Sequence, residues 1–134
     1  MFDLGIKVLI VDDMKTMRKL VIRSCQEIGF KNFVEAQDGQ EAWAILNSPE
    51  NQVQLVISDW NMPNCTGLDL LKRVRADGRL KELPFILLTA ESEAAQVATA
   101  IQAGVDNYLV KPFQTASLKQ KLEVVAKKRG KVAA

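Results

Sequence analysis

Three aspartates, a threonine and a lysine stand where the apolar runs of this 134-residue chain break off. Asp12 and Asp13 follow residues 6–11, Asp59 follows 54–58, Thr89 follows 85–88 and Lys111 follows 107–110. Three carboxylates drawn into one crevice repel, and hold protons unless positive charge joins them. The donors are oxygens, with neither sulfur nor imidazole, so the set selects a hard divalent cation, Mg²⁺ or alternatively Mn²⁺. Mg²⁺ commonly takes one or two carboxylates, keeps waters and completes its shell with phosphate oxygens, which asks for a phosphoryl group. The cation, the Lys111 ammonium and the Thr89 hydroxyl would neutralise that group from three directions. One carboxylate can then attack in line, giving an aspartyl-phosphate. Asp59 is assigned that part because it stands alone on its strand, while Asp12 and Asp13 form the metal pair. Taken singly, each residue has a plainer reading: Asp13 or Thr89 as a helix cap, Asp59 as a turn acid, Lys111 as an exposed loop residue. Four strand ends supplying one coherent set argue against coincidence.

The elements that must position these groups follow from periodicity. Residues 6–11 are short, β-branched and almost continuously apolar, as in a strand buried on both faces. Met14, Met17, Leu20, Val21 and Ile28 then recur at helical spacing up to Gly29. A weak strand at 33–36 leads through Asp38-Gly39 into a helix bearing Ala42, Trp43, Ile45 and Leu46. Residues 54–58 form the third strand, and a loop punctuated by Pro63 and Gly67 precedes a helix through Leu68, Leu71 and Val74. Asp77-Gly78 ends it, and Pro84 opens the fourth strand. An Ala-rich helix from Glu91 to Ala103 carries Val97, Ala98 and Ile101 on one stripe, and Gly104 stops it. After the strand at 107–110, Leu118, Leu122 and Val125 stripe a last helix, whose Lys127-Lys128-Arg129 end reads as a solvated terminus favourable to the helix dipole. Strands alternating with helices predict an α/β domain: a flavodoxin-like (βα)5 three-layer sandwich with parallel strand order 2-1-3-4-5. In such a sheet the ligand crevice lies at the carboxyl ends of the strands, beside the switch point between strands 1 and 3.

Composition narrows the chemistry further. The absence of histidine removes imidazole-based catalysis, His-ligated zinc and a phosphohistidine carrier. A net charge of +2 falls short of the concentrated basicity that draws nucleic acid, so none is expected as partner. Cys25 and Cys65 form no disulfide framework and no metal-ligand spacing. Asp3 stands where a signal peptide wants positive charge, and no apolar run approaches a membrane span. A cytoplasmic protein with no membrane association is expected. The length fits one domain over 1–134, its core at roughly 6–125 and a basic tail at 126–134, with no room for a DNA-binding module.

Asp12-Asp13, Asp59 with Trp60-Asn61-Met62-Pro63 and Gly67, Thr89-Ala90-Glu91, and Tyr108 before Lys111-Pro112-Phe113 together resemble the receiver domain of two-component response regulators. The likeness spans about Ile6 to Val125 and is nearest to the single-domain chemotaxis members, themselves known instances of the 2-1-3-4-5 order. It implies phosphorylation of Asp59 by a histidine kinase, of the chemotaxis type, and Mg²⁺ held by Asp12, Asp13, Asp59 and the Asn61 backbone carbonyl. Lys111 would pair with the phosphate, and Asn61 and Glu91 would tune its lifetime. Thr89 and Tyr108 would move on phosphorylation and pass the change to an output face carrying Glu93, Tyr108 and Lys121. A cis Lys111-Pro112 bond is implied as well. The expected partner is a flagellar motor switch protein, or a histidine phosphotransfer domain if the chain is a relay carrier or phosphate sink; a phosphatase is a possible further partner, and a monomer is expected. Glu93 and Ala94 depart from the lysines of the best-known chemotaxis members, so identity of that partner does not follow. An aspartate-nucleophile phosphatase of the haloacid-dehalogenase type would place a general acid two residues beyond Asp59. Asn61 stands there and cannot donate a proton to a leaving group, so a turnover enzyme is not expected.

Overall fold

Strand and helix alternate through the chain in the computed structural model, which describes residues 2–62, 64–90 and 94–129. The strands are β1 (Lys7–Val11), β2 (Asn32–Ala36), β3 (Val53–Asp59), β4 (Phe85–Thr89) and β5 (Asn107–Val110). The helices are α1 (Lys15–Ile28), α2 (Gly39–Asn47), α3 (Gly67–Ala76), α4 (Ala94–Gln102) and α5 (Thr115–Lys128). All strand pairs are parallel, in the order β2-β1-β3-β4-β5. That is the flavodoxin-like arrangement expected from the sequence.

Alternation along β1 explains the two cores. Val8 and Ile10 enter one cluster with Val21, Cys25, Leu118, Leu122 and Val125 of α1 and α5. Leu9 and Val11 enter the other with Ala42, Leu46, Leu70, Leu71 and Val74 of α2 and α3. Each fully buried Leu, Ile or Val side chain contributes roughly 1.5–3 kcal/mol, so burial on both faces accounts for the unbroken apolar run of β1. The register of β1 against β3 at Val11↔Ser58 sets Asp12, just beyond β1, beside Asp59, the last residue of β3.

Three sequence expectations are corrected. On α1 the buried stripe is Val21 and Cys25, with Ile22 and Ile28 packed beside it, while Leu20 is 48% and Met14 58% exposed. Cys25 one turn after Val21 centres the apolar face there and turns Leu20 outward. Among the described side chains of α4 the buried one is Ala100, while Val97 is half-buried, Ala98 exposed and Ile101 61% exposed. The small Ala100 side chain joins the core cluster that holds Phe85, Leu87 and Val105. Of the Lys127-Lys128-Arg129 end, Lys127 and Lys128 are exposed as expected, but Arg129 is not solvated: its Nε lies 2.6 Å from Asp106 Oδ1 and its Nη1 2.9 Å from Glu82. Helix α5 accordingly continues past Val125, with Ala126 buried.

Both thiols lie in these cores. Burial pushes the Cys25 thiol up to about 12 and raises that of Cys65. Only the thiolate is nucleophilic, so neither cysteine should react with an aromatic disulfide reagent at about pH 8 in the native protein, and both should react in denaturant. Prompt labelling of either without denaturant would show that its core opens.

Candidate functional site

The site grows from the ends of the strands, where the ladder runs one residue further than the strands themselves. Asp12 N–H donates to Ala36 O at 3.1 Å, Trp60 N–H to Leu88 O at 2.9 Å and Lys111 N–H to Thr89 O at 2.7 Å. These bonds fix Asp12, Trp60 and Lys111, the first residues beyond β1, β3 and β5, and the Asp12 and Lys111 side chains meet that of Asp59, the last residue of β3. Asp12, Asp13 and Asp59 each offer a carboxylate oxygen within 4.8 Å of the other two. Asp12 and Asp59 are buried and Asp13 is exposed, so the cluster opens to solvent on the Asp13 side. Lys111 Nζ lies 3.1 Å from Asp59 Oδ1 and 3.7 Å from Asp12 Oδ2.

Asp59 Oδ1 receives both the Lys111 ammonium and the Trp60 N–H, the latter at 2.8 Å. Asp12 Oδ1 accepts from Met14 N–H at 2.9 Å. Its Oδ2 is, among the described residues, a buried oxygen with no hydrogen-bond partner. Burial raises the Asp12 carboxyl above the usual carboxylate range; the Met14 N–H and the Lys111 ammonium oppose the rise, and Asp59 and Asp13 add to it. An orphaned buried carboxylate oxygen facing two further carboxylates is what a hard cation would satisfy.

The loop after β3 is shaped for close approach. Gly67 N–H donates to Trp60 O at 2.9 Å, and a Cβ on Gly67 would collide with the Asp59 carbonyl oxygen. Glycine here lets α3 begin directly behind the carboxylate. Thr66 caps α3 by accepting from Asp69 N–H at 3.1 Å.

Of the remaining expected residues, Thr89 is buried at the end of β4, and its hydroxyl donates to Gln96 Oε1 on α4 at 3.3 Å. Tyr108 is half-buried on β5, with Lys121 Nζ of α5 5.2 Å from its ring centroid. Asn61 is exposed on the loop two residues beyond Asp59. Glu91 and Glu93 lie outside the described residues. The Lys111-Pro112 bond is cis. Sequence reading missed the contacts of Gln96 with Thr89 and of Arg18 with the Asp12 backbone. Both side chains sit on helices, where periodicity marks a polar position but names no partner.

Comparison with known proteins agrees with this geometry. Residues 8–123 match the family described as response regulator receiver domain. The chain is 49% identical over 119 residues to the chemotaxis protein CheY1 of Helicobacter pylori, covering 89% of this chain and 95% of that one. It is 47% identical to the chemotaxis protein CheY of Pseudomonas aeruginosa, covering 89% and 94%. Among solved structures, that of the chemotaxis response regulator CheY4 of Vibrio cholerae superposes with a TM-score of 0.81 at 34% identity, covering 90% of this chain and 98% of that one.

Proposed function

The chain belongs to the response regulator receiver domain family, and from that premise we propose that it is a single-domain switch, phosphorylated on Asp59 by a histidine kinase and acting in chemotaxis at the flagellar motor. The observation that carries this is the meeting of Asp12, Asp13, Asp59 and Lys111 at the strand ends, with the buried Asp12 Oδ2 left without a hydrogen-bond partner among the described residues. The match over residues 8–123 and the chemotaxis relatives support reading 1–134 as one receiver domain that signals rather than turns over substrate. No helix among the described residues is long and apolar enough to cross a membrane, which accords with action in the cytoplasm.

Asp12, Asp13, Asp59 and the Asn61 carbonyl would hold Mg²⁺, which when bound supplies charge neutralisation to the phosphoryl oxygens. The chain's own residues do the rest. An Asp59 carboxylate oxygen forms the new O–P bond as the P–N bond of the donor phosphohistidine breaks, its electron pair remaining on the imidazole. Lys111, already 3.1 Å from Asp59 Oδ1, transfers its ammonium to the added charge. The Thr89 hydroxyl exchanges Gln96 for a phosphoryl oxygen, and Tyr108, apolar in body with a polar tip, follows into the space beside β5. Lys121 then meets the partner together with Tyr108.

Mg²⁺ titration should change the fluorescence of Trp60, the neighbour of Asp59. Asp12→Asn or Asp13→Asn should weaken binding at least about tenfold, since each removes a charge that attracts a dication. Unchanged fluorescence together with no heat of binding would remove the metal site.

The output is tested by retention on the immobilised protein with Mg²⁺ and beryllofluoride. A motor switch protein retained only with the mimic supports the switch. Retention of a histidine phosphotransfer domain instead indicates a relay carrier or phosphate sink. Thr89→Ala should still accept phosphate yet lose most mimic-dependent retention, and Tyr108→Ala should change partner affinity more than phosphorylation rate. Equal retention by Thr89→Ala and the wild type would break the coupling.

A further inference from the structure

Beyond the five residues at the strand ends, the structure assigns Arg18 as a positioning residue for the acidic pair, an inference that rests on the proposed Mg²⁺ site. Arg18 lies in the second turn of α1, and its side chain, 14% exposed, reaches two strands at once. Its Nη1 donates to the backbone carbonyl of Asp12 at 2.7 Å. Its Nε donates to Glu35 Oε1 on β2 at 2.9 Å. Glu35 pairs in register with Ile10 of β1, one position before the Val11↔Ala36 pair. The guanidinium therefore bridges the end of β1 to the neighbouring strand from above.

The consequence lies in which peptide is held. The Asp12 carbonyl belongs to the peptide plane joining Asp12 to Asp13. Asp12 is already secured by its N–H on Ala36 and its Oδ1 on Met14. Exposed Asp13 takes its direction from that plane, so pinning the carbonyl sets the angle from which the Asp13 carboxylate enters the cluster. Two hydrogen bonds to acceptors on different strands need the fixed fork of a guanidinium, which one ammonium does not reproduce. Glu35 also offsets the Arg18 charge, so that the clamp does not stand as an uncompensated cation near the metal site.

Charge and positioning predict opposite signs, which makes the role testable. If Arg18 acted only as a charge, removing it would strengthen attraction for Mg²⁺. If it positions Asp13, removing it weakens binding. The experiment is Mg²⁺ titration by Trp60 fluorescence and calorimetry on the full chain, with thermal melts alongside. Arg18→Ala should lower Mg²⁺ affinity about tenfold, the range found when groups orienting metal ligands are removed. Arg18→Lys keeps the charge and loses the fork, and it should fail to restore affinity. This second variant decides the matter even if Arg18→Ala does not fold, because no change in charge then confounds the reading. Wild-type affinity in Arg18→Lys, or equal or tighter binding in Arg18→Ala, would overturn the assignment while the metal site stands. A wild-type protein that binds no Mg²⁺ would instead overturn the site and the assignment with it.

Discussion

Asp59→Asn protein incubated with Mg²⁺ and acetyl phosphate should gain no phosphoryl mass, whereas the wild type should be modified on Asp59. The expectation follows from the electronics of the group. A carboxylate oxygen carries the negative charge that attacks phosphorus, while an amide oxygen has its lone pairs drawn toward nitrogen and an amide nitrogen is not nucleophilic. No neighbour stands ready to replace it. Asp12 is held through Oδ1 by Met14 and is more buried than Asp59, and Asp13 is the exposed member of the acidic cluster. The small donor should suffice without a kinase because Lys111, and the acidic cluster that would hold the cation, belong to this chain. The loss should exceed about a thousandfold, the scale attached to removing a reacting group rather than one that orients it. Intact-mass spectrometry with peptide mapping checks it. A phosphorylated Asp59→Asn protein with the label on another residue would transfer the nucleophile's part to that residue.

The sequence exposed the reacting groups because the fold obliges them to appear at one kind of place. A parallel strand buried on both faces tolerates no unpaired charge, so Asp12, Asp59, Thr89 and Lys111 show up as abrupt ends of apolar runs. The strand order followed from the same alternation, since right-handed crossovers allow few arrangements of this size. Helix faces were less legible. Cys25 and Ala100, small residues with little apolar weight, fill the core, while the larger Leu20 and Ile101 of the same helices face solvent. Long-range polar partners were not legible at all. Arg18 and Glu35 are 17 positions apart and Arg75 and Asp106 are 31 apart, and nothing local in either residue announces the other. Periodicity reports which way a side chain points relative to its own element, and partnership depends on which elements become neighbours.

Asp106 shows what such an unannounced residue is worth, and Asp106→Ala is expected to lower the thermal midpoint by at least about 10 °C. Its carboxylate, 1% exposed, accepts from Arg75 Nη2 at 2.9 Å, from Arg129 Nε at 2.6 Å and from Phe85 N–H at 2.8 Å. One acid thus ties α3, the end of α5 and the start of β4 to the entry of β5. Arg75 retains the Gly104, Lys81 and Leu83 carbonyls, so its hydrogen bonds survive in part, but these carry no full charge. Without Asp106 two guanidiniums face each other, with the exposed Glu82 beside Arg129 as the counter-charge among the described residues. Breaking one side of a buried ion pair costs about 3–5 kcal/mol, and stranding the Phe85 N–H adds about 1–3 kcal/mol. Against a total stability of about 5–15 kcal/mol, even the lower bound removes much of the margin, and about 3 kcal/mol corresponds to about 10 °C in a domain of this size. Asp106→Asn keeps an acceptor for Phe85 and one arginine while losing the charge, and it should fall between Asp106→Ala and the wild type. A melt of Asp106→Ala within about 3 °C of wild type would mean that the carbonyls around Arg75 and solvent around Arg129 already satisfy both guanidiniums. Because Asp106 leads directly into β5, which carries Tyr108 and delivers Lys111 at its end, the variant should also slow phosphorylation as the midpoint is approached, and a loss of phosphorylation well below the melt would place the register of β5, rather than global stability, as the quantity that Asp106 controls.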